Sequence, residues 1–223
     1  MKKDGYLYRF LRLMLGLFFC GTGCYITIQA NIGLAPWDSL NMGFSNVTGM
    51  LYGDAGATVG FMILILVFLL REKIGFGTIL NAILYPKWVD FWNYFELIPE
   101  MDSLWKGIPL MLFGQVFICI GTWLYMGSAG GSGPRDSLMV GIGKKLPNVP
   151  IGAVRGGLEG MAVLGGWLMG AKIGFGTLMA VFSIGIILQT VFSIVGFEAR
   201  AVKHESCLDT IKIVRERFSK NVR

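Results

Sequence analysis

Apolar residues run along this chain in long stretches, from near the N-terminus to about residue 197. Each of six stretches approaches the roughly 20 apolar residues that cross a hydrocarbon core about 30 Å thick. They lie at about 10–30, 54–71, 74–95, 107–127, 152–170 and 173–197. The pattern predicts an all-α membrane protein with about six transmembrane helices.

Two further helical patterns, at about 35–49 and 133–147, are too short to span comfortably. Fifteen helical residues reach only about 22 Å at 1.5 Å per residue. Each pattern follows glycine and begins at a proline, which is tolerated in the first turn of a helix. We expect two re-entrant or half helices, which occur at membrane depth where the protein covers them.

The chain contains an internal repeat, which is the most informative feature of the sequence. Residues 12–43 align with residues 110–141 at a constant offset of 98. After a one-residue shift, the six residues 73–78 (Lys-Ile-Gly-Phe-Gly-Thr) are identical to residues 172–177. Shared hydrophobicity alone does not explain six consecutive identities, so the sequence predicts two homologous halves.

The repeat divides the chain into three parts. The first repeat occupies 1–100 with the short helix at about 35–49, and the second occupies 101–198 with the short helix at about 133–147. Because each half crosses the membrane three times, we expect inverted topology, a frequent arrangement in secondary transporters. A purely structural duplication would leave the same sequence pattern. Residues 199–223 are expected to form a basic, amphipathic cytosolic tail.

The charges agree with this topology. Only 15% of the residues are charged, and the net charge of +6 comes from basic residues at span ends and in the tail. The positive-inside rule then puts both termini in the cytosol and the acidic stretch near residue 100 outside. We expect a multi-pass protein of the bacterial inner membrane, with the lipid bilayer as partner and no nucleic-acid binding; a homo-oligomer is left open.

The two proline-led motifs carry the candidate site residues. These are Pro36, Trp37, Asp38 and Ser39 in the first half, and Pro134, Arg135, Asp136 and Ser137 in the second. One interpretation is that the aspartates only satisfy free backbone N–H groups at a helix start. The other is that two half-helix N-termini converge and form a substrate site, since ionisable groups within a membrane are usually functional.

The motifs differ where Trp37 is replaced by Arg135. An aromatic ring and a guanidinium facing each other would suit a ligand with an acidic or polar group. The plainer alternative places Trp37 at the outer membrane interface and Arg135 at the inner one.

A second candidate lies in the third predicted span, where Lys87 and Asp90 are three residues apart. Gln189 is the repeat partner of Asp90, and both are included among the candidate substrate-binding residues. A cavity wall or ion-coupling site competes here with a salt pair near the outer interface. The duplicated Gly-Phe-Gly-Thr element is expected to serve tight hairpin closure and helix packing.

No catalytic motif emerges, and no cofactor or metal site is expected. His204 is the only histidine, and the cysteines follow no metal-binding pattern, so we predict that the protein is not an enzyme.

At its proline-led motifs the sequence resembles the YczE/YitT-like bacterial membrane proteins, especially the YczE-like group. The resemblance rests on residues 32–38, residues 133–136 and the duplicated Gly-Phe-Gly-Thr, and it covers most of 8–200. It implies a bacterial inner-membrane protein and, more loosely, a transporter or exporter, without a ligand or established site residues. A small secondary transporter is therefore the leading hypothesis, with a membrane scaffold or regulator, or a channel, as alternatives.

Overall fold

A computed structural model of the chain describes residues 5–198 and Val202, and the expected tail helix lies outside these residues. The regular secondary structure of the described part is α-helical, without a strand. Its eight helices are α1 (Tyr6–Gln29), α2 (Pro36–Thr48), α3 (Tyr52–Leu69), α4 (Phe76–Phe95), α5 (Leu104–Gly127), α6 (Pro134–Lys145), α7 (Ile151–Leu168) and α8 (Phe175–Ile194).

Four of the helices, α1, α3, α5 and α8, are long and apolar enough to cross a membrane. Helices α4 and α7 occupy the third and fifth predicted spans but are less apolar, since α4 carries Lys87 and Asp90 and α7 carries Arg155 and Glu159. The all-α fold is confirmed, while the number of six spans stays a prediction. Helices α2 and α6, with 13 and 12 residues, lie at the two short patterns.

A non-helical segment of six residues precedes each short helix, 30–35 before α2 and 128–133 before α6. These two segments, called the chain breaks below, have the same backbone conformation at two equivalent positions. Gly33 and Gly131 both have φ = 125°, a conformation that side chains strongly disfavour. Asn31 and Ala129 both have positive φ, at 53° and 59°. A proline then begins each short helix, as the sequence predicts.

Helices α1 and α5 pack closely in antiparallel directions through glycines. A methyl group on Gly16 would lie 2.8 Å from the Gly121 carbonyl oxygen, and one on Gly114 would lie 2.8 Å from that of Gly23. The residues are repeat partners in crossed order, because Gly16 aligns with Gly114 and Gly23 with Gly121. Absence of side chains at these positions lets the two backbones approach.

The Gly-Phe-Gly-Thr elements start α4 and α8, and each packs on the chain break of the opposite half. The Gly77 N–H donates to the Gly130 carbonyl (2.7 Å), and the Gly176 N–H donates to the Ile32 carbonyl (2.8 Å). The expected role in hairpin closure is therefore incomplete: these glycines also join the two halves.

The halves differ in one packing relationship. Helix α3 packs on α4, where a methyl group on Gly60 would lie 3.1 Å from the Ala82 Cβ. The equivalent helices α7 and α8 are not among the closely packed pairs. A methyl group at Gly152, Gly156 or Gly185 would meet nothing within 4 Å. The second half is thus open where the first is closed.

Candidate functional site

Asp38 lies in the first turn of α2 and is only 3% exposed. The hydroxyl of Tyr52, at the start of α3, donates to Asp38 Oδ1 over 3.1 Å, and the hydroxyl of Tyr85, on α4, donates to the same oxygen over 3.2 Å. Hydrogen bonds to a charged acceptor are stronger than neutral ones and offset part of the cost of burying a carboxylate. Asp38 is therefore held by side chains of two other helices.

Arg135, in the first turn of α6, supplies the positive charge opposite Asp38. Its guanidinium approaches Asp38 Oδ1 to 3.7 Å and lies 5.3 Å from the ring centre of Trp37 and 5.8 Å from that of Tyr85. Both distances fit a cation–π interaction. The alternative that places Trp37 and Arg135 at opposite membrane interfaces is wrong, because the two side chains are in contact.

A small cavity of about 20 Å³ lies beside this ion pair. It lies between α2, α3, α4 and α6 and is lined by Asn41, Gly56, Val59, Gly60, Ile63, Asn81, Ala82, Tyr85, Pro86, Pro134 and Arg135. Its size admits about one water molecule.

Asn41 joins the cavity to the buried network. Its Nδ2 donates to the Tyr52 hydroxyl (3.4 Å), while its Oδ1 is buried without a hydrogen-bond partner. The Tyr52 hydroxyl also lies 3.4 Å from the thiol of Cys24 on α1. An unpaired buried acceptor costs free energy, and a donor group in the cavity would remove that cost.

The two serines of the motifs each form a hydrogen bond within their own half of the chain. Ser39 is fully buried and donates to the Pro36 carbonyl (2.6 Å). Ser137 shares a 2.8 Å hydrogen bond with Ser132. Pro36 and Pro134 begin the helices and are both buried. These residues position the site, while Asp38, Trp37 and Arg135 carry its charge and aromatic surface.

The two aspartates have different environments. Asp38 is buried in the tyrosine network, whereas Asp136 is exposed. The Asp38 carboxylate binds tyrosine hydroxyls, so the interpretation that it only satisfies free backbone N–H groups is insufficient. The expected convergence of two helix starts brings together Trp37, Asp38 and Arg135, but it does not bury Asp136 beside Asp38.

Asp90 connects α4 to the start of α3, away from the central network. Its Oδ1 accepts a hydrogen bond from the Gly53 N–H (2.7 Å), and its Oδ2 lies 3.7 Å from Lys87 Nζ. Lys87 also contacts Asp54 at 2.6 Å. This arrangement fits the salt-pair alternative better than a cavity wall. Gln189, the repeat partner of Asp90, is exposed on α8.

A second, wider cavity of about 480 Å³ lies next to the first chain break. Its lining includes Asn31, Asp102 and Lys172. Lys172 donates to the Asn31 side chain (2.8 Å), and Lys106 donates to both oxygens of Asp102 (2.9 and 3.1 Å). The hydrogen bonds from Lys106 hold the pKa of Asp102 below its ordinary value. Each lining charge is thus paired with a residue outside the lining, Asp102 with Lys106 and Lys172 with Glu100 at 4.0 Å.

Sequence reasoning missed Tyr52, Asn41 and the role of Tyr85. These three residues could have been identified from differences between the two halves of the repeat. Their repeat partners are Ile151 for Tyr52, Met139 for Asn41 and Ile184 for Tyr85. Each is polar in the first half and apolar in the second. A search for polar residues that interrupt the repeat would have found all three.

Comparison with known proteins supplies the family. The chain is 30% identical over 189 residues to the uncharacterized membrane protein YczE of Bacillus subtilis, covering 84% of this chain and 86% of that protein. It is 28% identical to an uncharacterized protein of Haemophilus influenzae over 82% of this chain and 83% of the relative. A third relative, YyaS of Bacillus subtilis, is 26% identical over 81% of this chain and 90% of its own.

No solved structure matches the chain significantly. Residues 7–193 match the family described as "Family of unknown function (DUF6198)". The resemblance to the YczE-like proteins is thereby confirmed: the chain is a membrane protein and belongs to the DUF6198 family, with YczE among its relatives.

Proposed function

We propose that this protein is a small secondary transporter of the bacterial inner membrane that works by alternating access. The observation that carries the proposal is the ion pair between the buried Asp38 and the partly exposed Arg135, located where the two proline-led helices meet. Secondary transporters place substrate sites at broken helices near the repeat interface. Burying a carboxylate beside a cation does not by itself stabilise a fold efficiently, so the buried Asp38 favours a functional role.

The transporter would consist of two inverted repeats, with both termini in the cytosol. Antiparallel packing of α1 on its repeat partner α5 supports this arrangement. The Cys20 thiol donates to the Ile118 carbonyl (3.6 Å), and the two residues are repeat partners 98 positions apart. Contact between equivalent residues is expected on a twofold axis that relates the halves.

Alternating access is supported by the difference between the halves. Helix α3 packs on α4, while α7 and α8 are separated. In an inverted-repeat transporter, exchanging the conformations of the two halves exchanges the side from which the site is open. The described structure would represent one of the two states, with the α7–α8 side open.

A proteoliposome assay tests the proposal. The purified protein would be screened for counterflow of labelled amino acids, hydroxy acids, sugars and quaternary amines. We expect saturable flux of at least one compound class that falls at least tenfold in Asp38→Asn and Arg135→Gln, but not in Asp102→Asn, an exposed loop control.

Single-channel conductance in a planar bilayer would contradict the carrier and favour a channel. Flux that survives both Asp38→Asn and Arg135→Gln would reject the proposed site. Absence of flux, with a cellular phenotype that depends only on residues 199–223, would favour a scaffold or regulator.

A further inference from the structure

We propose that the central site binds a small hydroxycarboxylate together with one proton, the proton being taken up by Asp38. This inference rests on the proposed transport function and names its substrate class and coupling ion. It follows from three features: a replaceable ion pair, a buried carboxylate with one compensating cation, and an unpaired acceptor beside that cation.

The first feature is the geometry of Arg135. A guanidinium can bind a carboxylate through two parallel hydrogen bonds of about 2.7–2.9 Å, whereas Arg135 lies 3.7 Å from Oδ1 of Asp38, beyond that range. Trp37 and Tyr85 hold the guanidinium through their ring faces. Its side chain is 33% exposed, so hydrogen-bonding capacity remains for a second carboxylate.

The second feature is the charge balance around Asp38. The titratable groups that face it are Tyr52 from α3, Tyr85 from α4 and Arg135 from α6, with Cys24 of α1 behind Tyr52. Arg135 is the cation in this group. If an anion binds Arg135, the buried Asp38 carboxylate keeps its tyrosine hydrogen bonds but loses its counter-charge, and a buried charge without a counter-charge is costly. Taking one proton from solution neutralises Asp38, so anion and proton enter together without net charge.

The third feature is Asn41, which lines the same cavity as Arg135 and whose Oδ1 has no hydrogen-bond partner. A ligand hydroxyl would donate to this oxygen while its carboxylate binds Arg135. Loss of such a donor from a ligand leaves a buried acceptor unpaired, which gives strong discrimination. The cavity of about 20 Å³ is smaller than such a ligand, so binding requires the surrounding helices to separate.

Calorimetry on the purified full-length protein tests the inference with three probes. Lactate carries the carboxylate and the hydroxyl, propionate lacks the hydroxyl, and lactamide lacks the charge. We expect lactate to bind at least tenfold more tightly than propionate, and lactamide not to bind. Lactate affinity should fall about tenfold per pH unit while Asp38 is ionised, and buffers of different ionisation heat should show one proton taken up per lactate.

Three variants assign the effects to residues. Asp38→Asn should bind lactate at least tenfold more tightly at pH 8, without proton uptake or pH dependence. Arg135→Gln should lose lactate binding, with thermal unfolding as a folding control. Asn41→Leu should bind lactate no better than propionate. Because Asp38→Asn predicts a gain of affinity, misfolding cannot imitate the result.

Several outcomes would overturn the inference. These are lactate binding without proton uptake, binding that Asp38→Asn weakens, or no lactate binding by either the wild type or Asp38→Asn. Failure of this inference is distinguishable from failure of the transport proposal. Flux of a neutral or cationic compound that persists in Arg135→Gln would support the transport function and reject the anion site. Proton-coupled lactate binding without flux would support the anion site and reject the transport function.

Discussion

Trp37 and Arg135, which occupy equivalent positions in the two halves, are in contact, with the guanidinium carbon 5.3 Å from the centre of the indole ring. Both lie in the first turn of a helix that follows a left-handed chain break. Their contact brings the starts of α2 and α6 together and places one aromatic ring and one cation beside Asp38. The repeated motif thus starts two equivalent helices, while the differences between the halves at this position and at Tyr52, Asn41 and Tyr85 make the site chemically asymmetric.

The hydrogen bond between Tyr85 and Asp38 should contribute measurably to stability. Tyr85→Phe removes a donor from a buried carboxylate, and we expect a loss of about 1–3 kcal/mol in the free energy of unfolding. A double-mutant cycle with Asp38→Asn should give a coupling energy of about 0.5–3 kcal/mol. Unfolding in mixed detergent provides the measurement.

Tyr94→Phe is the matched control, since Tyr94 lies on the same helix and is 84% exposed. Its effect should stay within about 0.5 kcal/mol. Equal losses for Tyr85→Phe and Tyr94→Phe would contradict the buried network.

Much of the architecture follows from the sequence. The apolar runs predict the long helices. The prolines predict where the short helices begin: α2 and α6 each start within one residue of the first residue of the predicted stretches 35–49 and 133–147. The sharp turns at Gly33 and Gly131 could also be predicted, because both glycines come shortly before a proline that starts a helix. Apolar periodicity and proline position are local properties, so no tertiary information is needed.

Only part of the candidate site could be predicted from the sequence. Asp38, Trp37 and Arg135 stand in a recognisable motif, but Tyr52 and Asn41 join it only through packing of α2 against α3. The sequence places Asp90 with the site because it is a charge within a span, yet its partners are the Gly53 N–H at a helix start and Lys87 on its own helix. Sequence shows that a charge needs a partner, but the choice of partner depends on helix rotation.

The two chain-break glycines should be equally intolerant of substitution. Gly33→Ala and Gly131→Ala force a side chain into φ = 125°, and we expect each to cost about 1–3 kcal/mol or more. Gly156→Ala and Gly157→Ala are the controls, because an added methyl group meets nothing within 4 Å. On the helix α7 these controls should be neutral or slightly stabilising. Thermal unfolding in detergent gives the comparison, and a tolerated Gly33→Ala would show that the break is not rigidly required.

Inverted topology predicts that Lys73 and Lys172, equivalent and exposed residues, lie on opposite sides of the membrane. Lys73→Cys and Lys172→Cys would each be placed in a Cys207→Ser background, where Cys20, Cys24 and Cys119 remain buried. A membrane-impermeant maleimide added to intact cells should label Lys172→Cys and spare Lys73→Cys until the membrane is permeabilised. Labelling of both from the same side would exclude inverted repeats.

The open α7–α8 side should close when the α3–α4 side opens. Gly60 and Ala82 face each other between α3 and α4, with a Cβ separation of 3.1 Å if Gly60 carried a methyl group. A disulfide requires a Cβ–Cβ distance of roughly 3.5–4.5 Å, and this pair comes close to it. Cysteines at both positions should therefore cross-link rapidly under mild oxidant. The repeat partners are Glu159 and Val181, on the separated helices α7 and α8.

Cysteines at Glu159 and Val181 should cross-link slowly, at a rate set by the population of the second state. Either cross-link should stop flux by at least tenfold, and a reducing agent should restore it, because each traps one state of a two-state cycle. Single-cysteine variants control for the substitutions themselves. If flux runs at the wild-type rate while the Glu159–Val181 pair never cross-links, α7 and α8 do not close together, and the exchange of conformations between the halves is rejected.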